Sequence, residues 1–317
     1  MSKELKYSTF ALVFVFVMSL FFIFSCTVNT EMTREERDVV NEFDDVNFFN
    51  DAVDISNFKA DDQEVYSSTL PQFDVSTIFS VSFGKRIQSS SVAGNVRIYR
   101  ENPSEVINVD AYLSDDGKTL YIKPTVYFMT NNSEVFMVGL KPGFVYKIVV
   151  SKNLKFTDNT SLGKDFIYFF KTKDLDYGIY WLSKNGKAEK FVPGRANRYF
   201  SPNKPSVLYI HGWEKNTSIR DFFRENPYLL ITKTIKNVNT GQYWVDKGYN
   251  IGIFYWDQFA DENEVKDAEA KIWSYMNGYK GMRYRLANGN YVYFSEQKSV
   301  SDLLFDCYVS NFKNYSG

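Results

Sequence analysis

Ser206-Val-Leu-Tyr-Ile-His-Gly-Trp213 decides how the second half of this chain is read. Residues 207–210 are apolar at every position, the pattern of a strand inside a parallel sheet with helices on both faces. The run stops at His211-Gly212, where a missing side chain lets the backbone turn sharply and leaves the next peptide N–H, that of Trp213, free to face a cleft. Before it, Ser201-Pro-Asn-Lys-Pro205 is a loop that continues neither neighbouring element. Earlier still, Tyr177-Gly-Ile-Tyr-Trp-Leu182, the turn Ser183-Lys-Asn-Gly186 and residues 187–192 read as a hairpin.

Downstream, residues 219–245 hold helix-compatible stretches broken by Asn226-Pro227 and Asn239-Thr-Gly241, and Asn250-Ile-Gly-Ile-Phe-Tyr-Trp256 is a second buried strand. With no strand following it, that second strand is expected to leave an apolar edge open unless the hairpin before Ser206 or the inserted hairpin covers it. Residues 264–276 predict a helix with Val265, Ala268, Ile272 and Met276 on one face. Residues 281–294, centred on Ala287-Asn-Gly-Asn290, predict an inserted hairpin. Ser299 or Ser301 then caps a last helix whose apolar face is Leu303, Leu304, Cys307 and Tyr308.

Residues 71–173 carry a different pattern. Val75, Thr77, Phe79, Val81 and Phe83 alternate as a half-buried strand requires, and short strands follow at 96–99, 106–113, 119–123, 144–150 and 166–171. Turn formers such as Ser114-Asp-Asp-Gly117 and Lys141-Pro-Gly143 separate them, which argues for an antiparallel β-sandwich. Residues 27–70 hold twelve acidic residues against Arg34, Arg37 and Lys59 and contain no glycine. Such a stretch repels itself and reads as an extended acidic tether rather than a calcium loop.

The N-terminus reads as an export signal, with basic Lys3 and Lys6, a mainly apolar run over 10–24 and then Ser25-Cys26. A formal net charge of -1 and the lack of a basic, aromatic-interleaved stripe argue against nucleic acid as a partner. Scattered carboxylates around one histidine supply no metal-ligand spacing, so neither a metal nor a cofactor is expected. Cys307 reads as a small apolar helix residue.

Three resemblances follow from these residues. Ile23-Phe24-Ser25-Cys26 resembles a bacterial lipobox, which implies lipidation at Cys26 and a membrane-anchored envelope protein whose folded part lies outside the cytoplasm. Phe83 through Ser91, Asp116-Gly-Lys-Thr-Leu-Tyr-Ile-Lys-Pro124, Pro142-Gly-Phe-Val-Tyr146 and Phe169-Phe-Lys-Thr172 resemble the bacterial Ig-like domain of surface-layer proteins, implying a spacer or adhesion module. His211-Gly212-Trp213 and Tyr255-Trp256-Asp257 resemble two successive strand ends of lipase-like α/β-hydrolases, over residues 207–314.

The last resemblance implies an oxyanion-loop-like element at His211, Gly212 and Trp213. One backbone donor there is worth ~3–4 kcal/mol of transition-state stabilisation in a complete site. In the family the last helix leads to a strand bearing a G-x-S-x-G elbow. This sequence has no such motif, and His211 is its only histidine. No catalytic residue is therefore assigned, and Asp257 reads as a solvated strand terminus. The expected architecture is multidomain: signal (1–26), acidic tether (27–70), Ig-like β-sandwich (71–173) and an incomplete α/β-hydrolase-like domain (177–317). The expected function is that of an anchored, non-catalytic envelope protein, with an envelope protein as a candidate partner. The alternative is the N-terminal part of an ester or lipid hydrolase completed by other sequence.

Overall fold

The structure is a computed structural model that describes residues 55–65, 70–131, 134–227, 240–276 and 280–317, without the side chains of 129–131 and 134–136. Cys26, the acidic stretch up to residue 54 and part of the 219–245 region lie outside the described residues. No helix among the described residues is long and apolar enough to cross a membrane.

The first half supplies β1 (Ile55–Ala60), β2 (Gln63–Glu64), β3 (Gln72–Phe73), β4 (Phe79–Phe83), β5 (Val96–Arg100), β6 (Glu105–Ile107), β7 (Val109–Leu113), β8 (Thr119–Pro124), β9 (Val126–Asn131), β10 (Glu134–Val138), β11 (Val145–Val150) and β12 (Phe166–Thr172). Two five-stranded sheets, β2-β1-β4-β8-β7 and β3-β12-β11-β5-β6, face each other. Phe58, Phe79, Val81 and Ile122 from the first meet Ile98, Tyr146, Ile148 and Phe170 from the second in one apolar core. Period-two burial in β8 and β11 is the direct cause: one face of each strand is buried in the core and the other only partly buried.

The chain continues through β13 (Gly178–Leu182), β14 (Lys187–Lys190), β15 (Ser206–Ile210), α1 (Thr240–Asp246), β16 (Asn250–Tyr255), α2 (Asp257–Ala260), α3 (Val265–Trp273), β17 (Arg283–Arg285), β18 (Tyr291–Tyr293) and α4 (Val300–Asn311). A six-stranded sheet runs β10-β9-β14-β13-β16-β15, with β15 and β16 parallel and the other pairs antiparallel. On one face, Leu208, Trp181, Ile179 and Phe254 pack with Ala268 and Ile272 of α3 and Leu303 and Leu304 of α4. On the other, Val207, Tyr209, Ile251 and Ile253 pack with Trp244 and Val245 of α1. Ser299 caps α4 in a reciprocal capping box with Asp302. The described residues are mostly β, with four short α-helices.

Several expectations shift. The acidic stretch 27–70 contains β1, which pairs with β4 and puts Phe58 into the core, so part of it is folded sheet. Residues 106–113 are not one strand: the chain crosses between sheets at Asn108, with β6 in one and β7 in the other. The β9–β10 hairpin, absent from the sequence reading, leaves the sandwich and pairs with β14, joining the second sheet. The boundary at 173–177 therefore does not separate two independent sheets. The expected helix over 264–276 ends at Trp273, and Met276 is exposed.

The hairpin before Ser206 covers the edge of β16 through β13. Strand β16 is flanked by β13 and β15 and buried throughout, whereas β15 is the outermost strand and only partly buried. Its apolar residues resemble those of a central strand, but its position is an edge.

Gly252 is where β16 meets the indole of Trp181. A Cβ there would lie 2.8 and 2.9 Å from Trp181 Cζ3 and Cε3 and 3.2 Å from Leu208 Cδ1. Trp181 is fully buried and donates to Asn311 across 3.0 Å, so it has no free direction in which to move. Gly252→Ala is expected to destabilise the protein by about 1–3 kcal/mol, the cost of overpacking a filled core, as measured by denaturant unfolding.

Candidate functional site

The site is built where β15 and β16 end side by side. His211 follows β15 and is buried. Its Nε2 accepts the Trp256 backbone N–H at 3.0 Å, which fixes that nitrogen as unprotonated. Its Nδ1 lies 2.8 Å from the Gly212 carbonyl and therefore carries the proton. Trp256 Nε1 donates back to the His211 carbonyl at 2.9 Å, and the two rings stack. Burial, reinforced by Arg224, lowers the imidazole pKa to about 3 against the Gly212 bond. The ring is thus neutral, with both nitrogens engaged.

Beyond it, the loop to Pro227 is tied to the segment that follows α2. Trp213 Nε1 donates to the Glu262 carbonyl at 2.8 Å, and the amides of Asn216 and Ser218 donate to the Asp261 carboxylate at 2.6 and 3.0 Å. Arg285, on the β17–β18 hairpin, reaches both Asn216 and Asp261. The Trp213 N–H itself has no hydrogen-bond partner among the described residues. Gly212 and Trp213 line an apolar cavity of about 320 Å³, together with Ile210, Trp256, Ile272 and Leu304.

Behind this loop lies a buried chain of charges. Arg224 is fully buried and lies 2.8 Å from Asp176 and 3.0 Å from Asp257, over the rings of Tyr180 and Tyr255. The contact with Asp257 is an ion pair without an aligned hydrogen bond, and neither oxygen of that carboxylate has a hydrogen-bond partner among the described residues. Burial therefore leaves the Asp257 pKa raised despite Arg224. At Asp176 burial is outweighed by Lys190 and Arg224, which hold its carboxyl well below the usual range. Lys190 in turn lies 2.8 Å from Asp74, so the chain of charges reaches the sandwich.

Glu214 is, with Asp257, the second carboxyl here whose pKa is raised. Burial first, and then Asp257, push its pKa up to about 8, while the Glu225 amide donates to Oε1 at 3.0 Å. His211, Glu214 and Glu225 bring one ligand atom each to within 4.8 Å of one another. They do not fit a metal as arranged, because the imidazole has no free lone pair: Nε2 holds the Trp256 amide and Nδ1 holds its proton.

His211, Gly212 and Trp213 thus stand together at one cavity. Cys26 lies outside the described residues, and Cys307 is half-buried on α4 with burial raising its thiol pKa. The reading of Asp257 as a solvated terminus is corrected: it is fully buried. Arg224, Asp176 and Glu214 escaped the sequence reading, since Asp176 precedes β13 while Glu214 and Arg224 lie in the loop after β15, and no spacing links the two segments.

No protein-family model matches the chain, and no curated protein matches it. Among solved structures, the chain is similar over 41% of its length to native alpha-2-macroglobulin of Escherichia coli, at 16% identity and a TM-score of 0.26, covering 7% of that chain. It is similar over 41% to the N-terminal part of the bacterial S-layer protein SbsC, at 16% identity and a TM-score of 0.25, covering 26% of it. It is similar over 45% to a thermostable esterase, at 13% identity and a TM-score of 0.22, covering 45% of it. The chain spans less than half of each.

Removing Arg224 leaves the buried Asp257 without its counter-charge and Asp176 with Lys190 alone. Arg224→Met is expected to cost about 3–5 kcal/mol in denaturant unfolding, with part recovered when Asp257→Asn is added. Glu214 acts on pH dependence with the opposite sign to an ordinary ion-paired carboxylate. Its folded pKa of about 8 lies above the unfolded value of 4.5, so its contribution is present below that value and is lost as pH rises towards 8. Glu214→Gln is expected to remove that alkaline loss, seen as a flatter melting-temperature profile between those two pH values. An unchanged profile would contradict the buried, protonated carboxyl.

Proposed function

We propose that the chain is an envelope lipoprotein, anchored through Cys26, in which an Ig-like sandwich carries a lipase-like α/β-hydrolase segment without hydrolytic turnover. The observation that carries the reading is the state of His211, neutral and engaged on both nitrogens. A serine nucleophile needs a base with a free, basic nitrogen within hydrogen-bond reach. The only histidine in the sequence has none, so its ring braces the turn instead of moving a proton. The Trp213 N–H beside an apolar cavity fits the donor of an oxyanion loop, and helices on both faces of β15 and β16 fit the expected α/β layering.

A second reading has its own observation. After α4, the amides of Ser316 and Gly317 donate to the Pro202 carbonyl at 2.8 and 3.0 Å, just ahead of β15. A strand that followed from there would run beside the outer edge of β15, where a nucleophile-bearing strand stands in the resembled family. On that reading the chain is part of an ester or lipid hydrolase completed by further or separately encoded sequence.

The full chain is expected to be unlabelled by a fluorophosphonate probe and to leave a short-chain p-nitrophenyl ester at its background rate. A probe adduct on any serine of this chain would overturn the non-catalytic reading. Metabolic labelling with palmitate should mark the wild type and fail on Cys26→Ser. Equal labelling of both would remove the anchor.

A further inference from the structure

The loop after β15 leaves the second sheet, reaches the sandwich and comes back. On the way out, the amides of Asn216 and Ser218 are held by Asp261. On the way back, Arg224 lies between Asp176 and Asp257. Between these two ties stand Asp221 and Phe222, and both engage the sandwich.

This tip is strained. Asp221 and Phe222 have φ of 57° and 54°, in the left-handed region. An aspartate tolerates that region, whereas a phenylalanine there sets its Cβ against the following carbonyl. Such a conformation persists only where surrounding contacts hold it. Phe222 is fully buried, with its ring edge-on to Phe144 at a centroid distance of 6.3 Å. Asp221 places one carboxylate oxygen 2.7 Å from Arg100 Nη1 and pairs through the other with Lys141 Nζ.

The socket in the sandwich is itself fixed. The Lys141 amide donates to Tyr146 Oη at 2.8 Å, the Lys141 carbonyl accepts from Thr172 Oγ1 at 2.6 Å, and Arg100 also holds Glu105 at 2.8 Å. Arg100 and Lys141 are buried, while Asp221 is about half exposed. Glu105 and Asp221 balance the two cations, and Asp221 is the carboxylate that Lys141 pairs with. Without it, a buried ammonium has no counter-charge. The same loop also covers the candidate site: Glu214 stands 3.8 Å from His211 Nδ1, and the imidazole side chain is fully buried.

We propose that Asp221 and Phe222 form a strained latch through which the sandwich holds the loop after β15 shut over His211, so that freeing Asp221 from Arg100 and Lys141 opens the loop and bares the imidazole. The latch stands on these contacts alone, whether or not the hydrolase-like reading holds. It makes the sandwich a controlling element for the neighbouring site as well as a spacer.

His211 is the only histidine of the chain, so its carbethoxylation by diethyl pyrocarbonate reports loop opening directly. The reaction is followed by peptide mass spectrometry on the full chain, purified in mild detergent without a histidine tag. Asp221→Asn keeps a residue at home in the left-handed region and removes the charge. Because the pair is half exposed, that variant should raise the rate at His211 by at least about tenfold over a slow wild type. Adding Lys141→Met removes the uncompensated ammonium and should return the melting temperature towards the wild-type value with His211 still reactive; where Asp221→Asn alone does not fold, this double variant carries the test. Asp158→Asn, which breaks an exposed ion pair with Lys85 elsewhere on the sandwich, should match the wild type. In hydrogen exchange, amides of residues 213–227 should lose protection in Asp221→Asn while those of β13 and β16 keep theirs. An Asp221→Asn rate equal to that of the wild type, protection of His211 regained in the double variant, an equal rise in Asp158→Asn, or loss of protection across β13 and β16 as well would each overturn the latch.

Discussion

Arg224 fixes more of this molecule than any other single side chain. A fully buried guanidinium is tolerable only with carboxylates close by, and Asp176 and Asp257 come from two different parts of the second sheet. Asp176 precedes β13, Asp257 opens α2, and Arg224 arrives from the loop after β15. Lys190 at the end of β14 continues the chain of charges to Asp74 in the sandwich. Displacing any one element would strand a charge in a low-dielectric interior, so these elements hold one another in place.

The character of the candidate site follows from that constraint. With the loop after β15 anchored through Arg224 and Asp261, His211 is pressed against Trp256 and sealed from water. Desolvation suppresses the imidazolium, and the backbone amide of Trp256 consumes its remaining lone pair. Rigidity and acid–base inertness at His211 therefore have the same origin. The apolar cavity next to it is lined by Ile210, Trp256, Ile272 and Leu304, with the Gly212–Trp213 turn as its backbone wall.

Much of the fold was legible because one-dimensional periodicity suffices for it. Alternation in the stretch through Phe83 and in residues 144–150 marks half-buried strands, and the capping residue Ser299 marks the start of α4. What failed did so for three-dimensional reasons. The β9–β10 hairpin has the composition of a sandwich strand pair, and nothing local records that its partner is β14. The β15 sequence is that of a covered strand, while its coverage depends on what lies beside it in space. Asp257 illustrates the same limit at the site, since its burial is set by Arg224, 33 positions away.

The sequence by itself determined the strand-rich first half, the turn at His211-Gly212, and the absence of a second histidine or a G-x-S-x-G motif. These are properties of residue type and order, and they hold in any fold. Only the tertiary structure decided that the sandwich and the second sheet share a hairpin, and that His211 is neutral with both nitrogens occupied. It alone decided that β15 rather than β16 is an outermost strand of the second sheet among the described residues. Pairing partners and desolvation arise from contacts between residues far apart in the chain, and no local pattern encodes them.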